Sequence, residues 1–205
     1  MHKALFKKIA FVLLATPALW LGWQMYHWFS FLPHELTANP QKFITQYTGL
    51  WAIRILIVTL CLSPLSWAGW RSALSYRRMA GLYAAFYTML HLLNYFILDY
   101  GLDMAVITKD ILKRPAISIG AIAAVIMMIL SITSTQAMMW RLGRLWRRLH
   151  RMIYGLAILV PVHGFLMVKG DRMELSLYGM ILAGLLLMRL WRFCAGRYRL
   201  MGNRP

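Results

Sequence analysis

HRMIYGLAILVPVH, residues 150–163, sets one histidine at each end of an apolar run in which Arg151 is the sole charge. Continued to Val168, the run has the length of a helix that crosses a hydrocarbon core, about 20 residues at about 1.5 Å each. Lipid offers the backbone no hydrogen bonds, so a segment of this kind satisfies itself as a helix. Five more runs of similar length lie at 9–29, 47–67, 79–98, 115–134 and 175–193. The expectation is an all-α membrane protein, a six-helix bundle forming one membrane domain over residues 1–205. The composition agrees: 60% hydrophobic residues and a mean hydropathy of +0.58, above the usual soluble domain. Lys3, Lys7 and Lys8 ahead of the first run resemble the start of a secretory signal. The run continues to Phe29 with no small-x-small cleavage pattern, so a retained span is expected.

The net charge of +17 raises the question of nucleic acid, and its distribution answers it. With a cytoplasmic N-terminus, segments 1–8, 68–78, 135–151 and 189–205 face the cytoplasm and hold 16 of the 23 Lys and Arg. All six acids, Glu35, Asp99, Asp103, Asp110, Asp171 and Glu174, fall on the other side. This bias places both termini in the cytoplasm. The basic run RLGRLWRRLHR, 141–151, reads as a topology signal in contact with lipid headgroups, or as a docking surface for a cytoplasmic partner. No nucleic-acid role is needed.

Two cysteines, Cys61 and Cys194, stand far apart, with no CxxC or CxxCH. That argues against zinc, iron–sulfur clusters and covalently attached haem. No GxGxxG or P-loop is present, so any electrons handled here come from a separate donor.

Ionisable groups inside spans are costly and mark function. They are His27, Arg54, His91, His150 and His163. His91 follows Arg78 by 13 residues and His163 follows His150 by 13, so each lies about 20 Å up its helix. Two imidazoles at one depth on helices running the same way can ligate a b-type haem from both faces. His150 lies at the cytoplasmic end, where the third span offers Arg77 and Arg78 instead of a matching histidine. It is open to a second haem with another partner, another cofactor, a haem propionate, or a hydrogen bond at the interface. Thirteen residues leave the rings of His150 and His163 roughly 140° apart on an ideal helix, an angle that Pro161 can alter. Arg54 either snorkels or meets a haem propionate, and Lys113 and Arg114 offer a second propionate contact. TSTQ, 133–136, either finishes a helix or lines a flavin or quinone head. The loop 99–114 mixes acids with apolar residues, as a short interface helix does.

TGLWAIRILIVTLCLSPL (48–65), RRMAGLYAAFYTMLHLLNY (77–95) and TSTQAMMWRLGRLWRRLHRMIYGLAILVPVH (133–163) resemble the MsrQ, or YedZ, family along nearly the whole chain. More distantly they are similar to the transmembrane domain of ferric reductases and NADPH oxidases, which commonly carry four ligating histidines. The resemblance implies an electron-transfer subunit, not the catalytic one, in the bacterial inner membrane. It would bind haem b, one or two, and FMN as a further cofactor. Electrons would come from the quinone pool or a cytoplasmic flavin reductase. They would pass to a periplasmic molybdopterin partner, MsrP, which reduces methionine sulfoxide in proteins. By the same resemblance His91 and His163 match the principal haem ligands and His150 a third family histidine. Arg77 and Arg78 stand where the four-histidine relatives carry another ligand. From residues alone, the rival is a proton-coupled transporter relaying protons through His91, His163 and Arg54. Against it, no carboxylate lies within a span and no paired helix breaks occur.

Overall fold

The computed structural model of the chain describes residues 2–170 and 172–202, with side chains over 5–170 and 172–195. Asp171 and Arg204, both counted above, lie outside the described residues. The described residues are helical throughout, joined by short turns. The helices are α1 (His2–Phe29), α2 (Pro40–Trp67), α3 (Leu74–Leu93), α4 (Met104–Lys113), α5 (Pro115–Ile132), α6 (Gln136–Leu142), α7 (Arg144–Leu149), α8 (Met152–Met167) and α9 (Met173–Gly202). Among the described residues, six stretches are long and apolar enough to cross a membrane: Leu5–Phe29, Pro40–Trp67, Arg71–Asp99, Pro115–Ile132, Arg144–Met167 and Met173–Ala195.

The boundaries differ from the hydropathy reading where polar caps, not lipid, decide them. α2 begins at Pro40, earlier than position 47, because the Asn39 side chain accepts the Lys42 N–H and proline occupies the first helical turn. The 99–114 loop contains α4, started by Asp103, whose Oδ1 accepts from the backbone of Ala105 and Val106. TSTQ is split: Thr133 ends α5 and Thr135 caps α6. Residues 150–163 are not one continuous helix. α7 ends at Leu149, α8 begins at Met152, and His150 occupies the joint.

The core lies where α2 and α3 meet α5, α8 and α9. Ile53, Ile55, Leu56 and Leu60 of α2 pack with Ala80, Ala84 and Tyr87 of α3, Leu156 and Ala157 of α8, and Leu182 of α9. The alanines let the helix backbones approach closely, which is how helices gain packing in lipid. Outward, large apolar side chains such as Leu19, Val125 and Trp191 are exposed, as a lipid-facing surface requires. α2 and α3 are antiparallel, with Thr45 beside His91 at one end and Thr59 beside Gly81 further along. α5 and α8 are antiparallel too, Ala116 meeting His163 and Ser134 meeting His150.

α1 docks on α3 through two tyrosines one helical turn apart. The Tyr83 hydroxyl donates to the Phe11 carbonyl at 3.0 Å. The Tyr87 hydroxyl donates to the Leu14 carbonyl and accepts the Ala18 N–H, both at 2.9 Å. In an uninterrupted helix those two groups would pair with each other. They flank Pro17, so a side chain from another helix sits in the ladder beside a proline.

Candidate cofactor site

After Leu93 the α3 helix loosens into a π-helical turn, Asn94–Asp99, a feature often found beside functional residues. His91 lies in the last α-helical turn before it. It faces His163, which lies in the last turn and a half of α8. Their ring centroids are 6.4 Å apart and the ring planes cross at 82°. Both rings are half-buried.

Each ring is held by its Nδ1. His91 Nδ1 lies 3.0 Å from the carbonyl oxygen of Thr45 on α2. His163 Nδ1 lies 2.7 Å from that of Ala116 on α5. A carbonyl only accepts, so each Nδ1 carries the proton and Nε2 keeps the lone pair. This is the orientation in which histidine ligates a metal. Metal–imidazole bonds are about 2 Å, and about 1 Å more separates the nitrogen from the ring centre, so two axial imidazoles on one ion stand about 6 Å apart. The observed separation has that value. Among the described residues no group of three or more His, Cys, Asp or Glu could hold a metal ion. Two imidazoles alone suit a metal that brings its own equatorial donors, as haem iron does.

The neighbouring helices make room for both rings with glycine. A β-carbon on Gly49 of α2 would stand 3.3 Å from His91 Cε1 and Nδ1. One on Gly120 of α5 would stand 2.5 Å from His163 Cε1 and 2.7 Å from Nδ1. Asn94, 4% exposed, donates from Nδ2 to Thr45 Oγ1, while its Oδ1 is buried without a partner.

His150 lies apart from this pair, at the other end of the bundle. Its ring stacks on Trp146 at 4.0 Å between centroids. Its Nδ1 is 3.2 Å from the Trp146 carbonyl oxygen and its Nε2 is 3.4 Å from Ser134 Oγ. Trp146 Nε1 donates in turn to the Thr133 carbonyl, so TSTQ, α7 and His150 form one hydrogen-bonded corner. Arg77 is within electrostatic reach of His150. A guanidinium carries no lone pair for a metal.

The two arginines singled out in the sequence have protein partners. Arg54 donates from Nη2 to Glu174 Oε1 at 2.6 Å and from Nε to the Tyr178 hydroxyl at 2.7 Å. Its guanidinium also lies over the Trp51 ring, 5.0 Å from the centroid. Arg114 pairs with Asp110, one turn earlier, at 3.2 Å. Asp110 also accepts from the Tyr95 and Tyr100 hydroxyls at 2.9 and 2.8 Å. His27 serves the loop after α1, with Nδ1 2.8 Å from the Pro33 carbonyl oxygen. The sequence reading missed Thr45, Ala116, Glu174 and Tyr178. The first two act through backbone atoms, which no side-chain pattern announces. Glu174 reaches Arg54 across 120 positions. Gly49 and Gly120 did leave a signal, since glycine inside a helix usually has a packing reason.

Residues 48–161 match a family described as ferric reductase like transmembrane component, a stretch that contains His91 and His150 and stops just short of His163. Over 183 residues the chain is 42% identical to the protein-methionine-sulfoxide reductase heme-binding subunit MsrQ of Xanthomonas axonopodis pv. citri (strain 306), covering 89% of this chain and 84% of the relative. It is 43% identical over 158 residues to the MsrQ subunit of Ralstonia nicotianae (strain ATCC BAA-1114 / GMI1000), covering 75% and 73%. No solved structure matches.

Proposed function

Because the chain belongs to the MsrQ family of heme-binding subunits, with a ferric reductase-like membrane component, we propose that it is a b-type cytochrome of the bacterial inner membrane, with His91 and His163 as axial ligands. Haem held there would supply a one-electron iron couple. The observation that carries the reading is the pair of imidazoles at 6.4 Å, each with its proton directed to a carbonyl. Haem iron held by both histidines would have no open position, which would favour electron transfer over oxygen binding. The chain's residues hold the rings neutral and apart. In this reading both termini are cytoplasmic. Electrons enter from a quinol or a cytoplasmic flavin reductase at the basic end, with FMN as a further carrier. They leave at the acid-bearing periplasmic end toward a molybdopterin, MsrP-like subunit that reduces methionine sulfoxide in proteins. His150, with Ser134 and Arg77 nearby, is the candidate for a second cofactor at the entry side. Arg54 and Arg114 would touch haem propionates only by sharing their guanidinium groups with Glu174 and Asp110.

The test is a reduced-minus-oxidised spectrum with a haem-to-protein ratio on purified wild type and three variants. H91A and H163A are expected to lose the six-coordinate b-type signal, and H150A to retain one haem. Folded wild type that takes up no supplied haem would overturn the reading. A protonation relay would then be the better account of the pair.

A further inference from the structure

The two histidine seats are built the same way. His91 bonds the carbonyl of Thr45, and the glycine beneath its ring is Gly49. His163 bonds the carbonyl of Ala116, and the glycine beneath its ring is Gly120. In both, carbonyl and glycine are four residues apart on the helix preceding the histidine's own span. The spacing has a physical reason. In an α-helix the carbonyl of one residue points toward the residue four further on and accepts its N–H. The side chain at that later position leans back toward the N-terminus and covers the carbonyl's flank. Glycine leaves the flank open, so the oxygen's second lone pair can accept a hydrogen bond from a neighbouring imidazole.

We infer that Gly49 and Gly120 are positioning residues for the cofactor, acting through His91 and His163 to set the planes of the two rings. The inference rests on the haem reading of the site. Each glycine admits its ring to one carbonyl in one orientation, and the two orientations cross at 82°. Near-perpendicular axial imidazoles on low-spin ferric haem give a strongly anisotropic paramagnetic resonance spectrum with a large highest g value. Near-parallel rings give the ordinary rhombic one. The two seats differ in tolerance. A methyl group at Gly120 would overlap the ring, whereas one at Gly49 would only press on it.

The experiment is electron paramagnetic resonance with a haem-to-protein ratio on purified, haem-loaded G120A, G49A and G155A beside wild type. Gly155 of α8 faces open space and serves as the control. Wild type and G155A are expected to share the large-g spectrum. G120A is expected to lose it and to bind haem about tenfold more weakly or worse, the usual scale for a lost outer-shell partner. G49A is expected to keep its haem with a lower highest g value, a change that a purely structural role would not produce. Haem-free wild type would overturn the haem reading and this inference with it. Haem-loaded wild type with unchanged spectra in G120A and G49A would overturn the inference alone. If G120A does not accumulate, G49A decides by the same criterion.

Discussion

A neutral imidazole that donates from Nδ1 has one lone pair left, and the two carbonyls of Thr45 and Ala116 impose that state on His91 and His163. That the two rings stand at one level was legible in the sequence, because 13 residues measured from a basic end reach the same height on both spans, and the rings do lie 6.4 Å apart. Their seats were not, because a carbonyl has no residue identity. Arg54 shows the same division. Its presence in a span was plain, but its partners Glu174 and Tyr178 come from the far end of the chain. The Arg54–Glu174 pair is about a third to a half exposed, so its net contribution to stability is at most about 1 kcal/mol. Its electrostatic effect on the proposed haem is the better probe. E174Q removes a negative charge and is expected to raise the haem midpoint potential. R54Q removes a positive one and is expected to lower it. Potentiometric titration of the two variants checks both signs, and equal potentials would exclude a haem propionate from that cluster.

At the scale of single elements, α4 is tied to the end of α3 by Asp110. Burial alone would raise the Asp110 pKa. Hydrogen bonds from the Tyr100 and Tyr95 hydroxyls, with Arg114 beside them, outweigh burial and hold it below the ordinary carboxylate value. A depressed pKa in the folded state stabilises the docked helix fully above the unfolded value, about 3.9. That contribution is lost as pH falls further, through the folded value. Amide exchange in residues 100–114 is therefore expected to accelerate below about pH 4. In D110N the same segment is expected to exchange faster at neutral pH and to lose the acid step. α4 was legible in outline from its mixture of acids and apolar residues. The break at His150 was not, since it is made in the backbone, where the N–H groups of Arg151, Ile153 and Tyr154 bond carbonyls three residues back and not four. Tyr87 is a second element-scale latch. Y87F keeps the ring but leaves the Leu14 carbonyl and Ala18 N–H without that hydroxyl, at an expected cost of about 1–3 kcal/mol. Thermal unfolding in detergent measures it, and an unchanged midpoint would mean that α1 closes its own ladder.

Across the whole molecule, six apolar runs sufficed to count the spans, because every segment in lipid must meet the same length and polarity requirement. Packing order was beyond such a reading, since outward and inward faces of these helices are both apolar. The proposed orientation rests on charge. A fluorescent protein that matures only in the cytoplasm, fused after residue 205, is expected to fluoresce, and one fused within loop 30–39 to stay dark. The reverse pattern would turn the proposed path of electrons upside down. On the proposed route, the acids at the far end would also bear on partner choice. D99N combined with D103N is expected to slow electron delivery to the partner at low salt and to leave it unchanged at high salt, where exposed charges are screened. Asparagine still caps α4, so the fold of that loop is kept.

The tyrosine latch also has a place in time. A chain is made from its N-terminus onward. The two α1 groups that receive the Tyr87 hydroxyl therefore enter the membrane 69 and 73 positions ahead of it. Through that interval the first helix carries a proline and an imperfect ladder, and it has no third helix to lean on. During biogenesis α1 is then an anchored apprentice, held by its apolar surface and finished only when α3 arrives. Nascent chains halted before Tyr87 emerges are expected to be cleared by membrane proteases faster than chains halted just beyond it, and Y87F is expected to erase that difference.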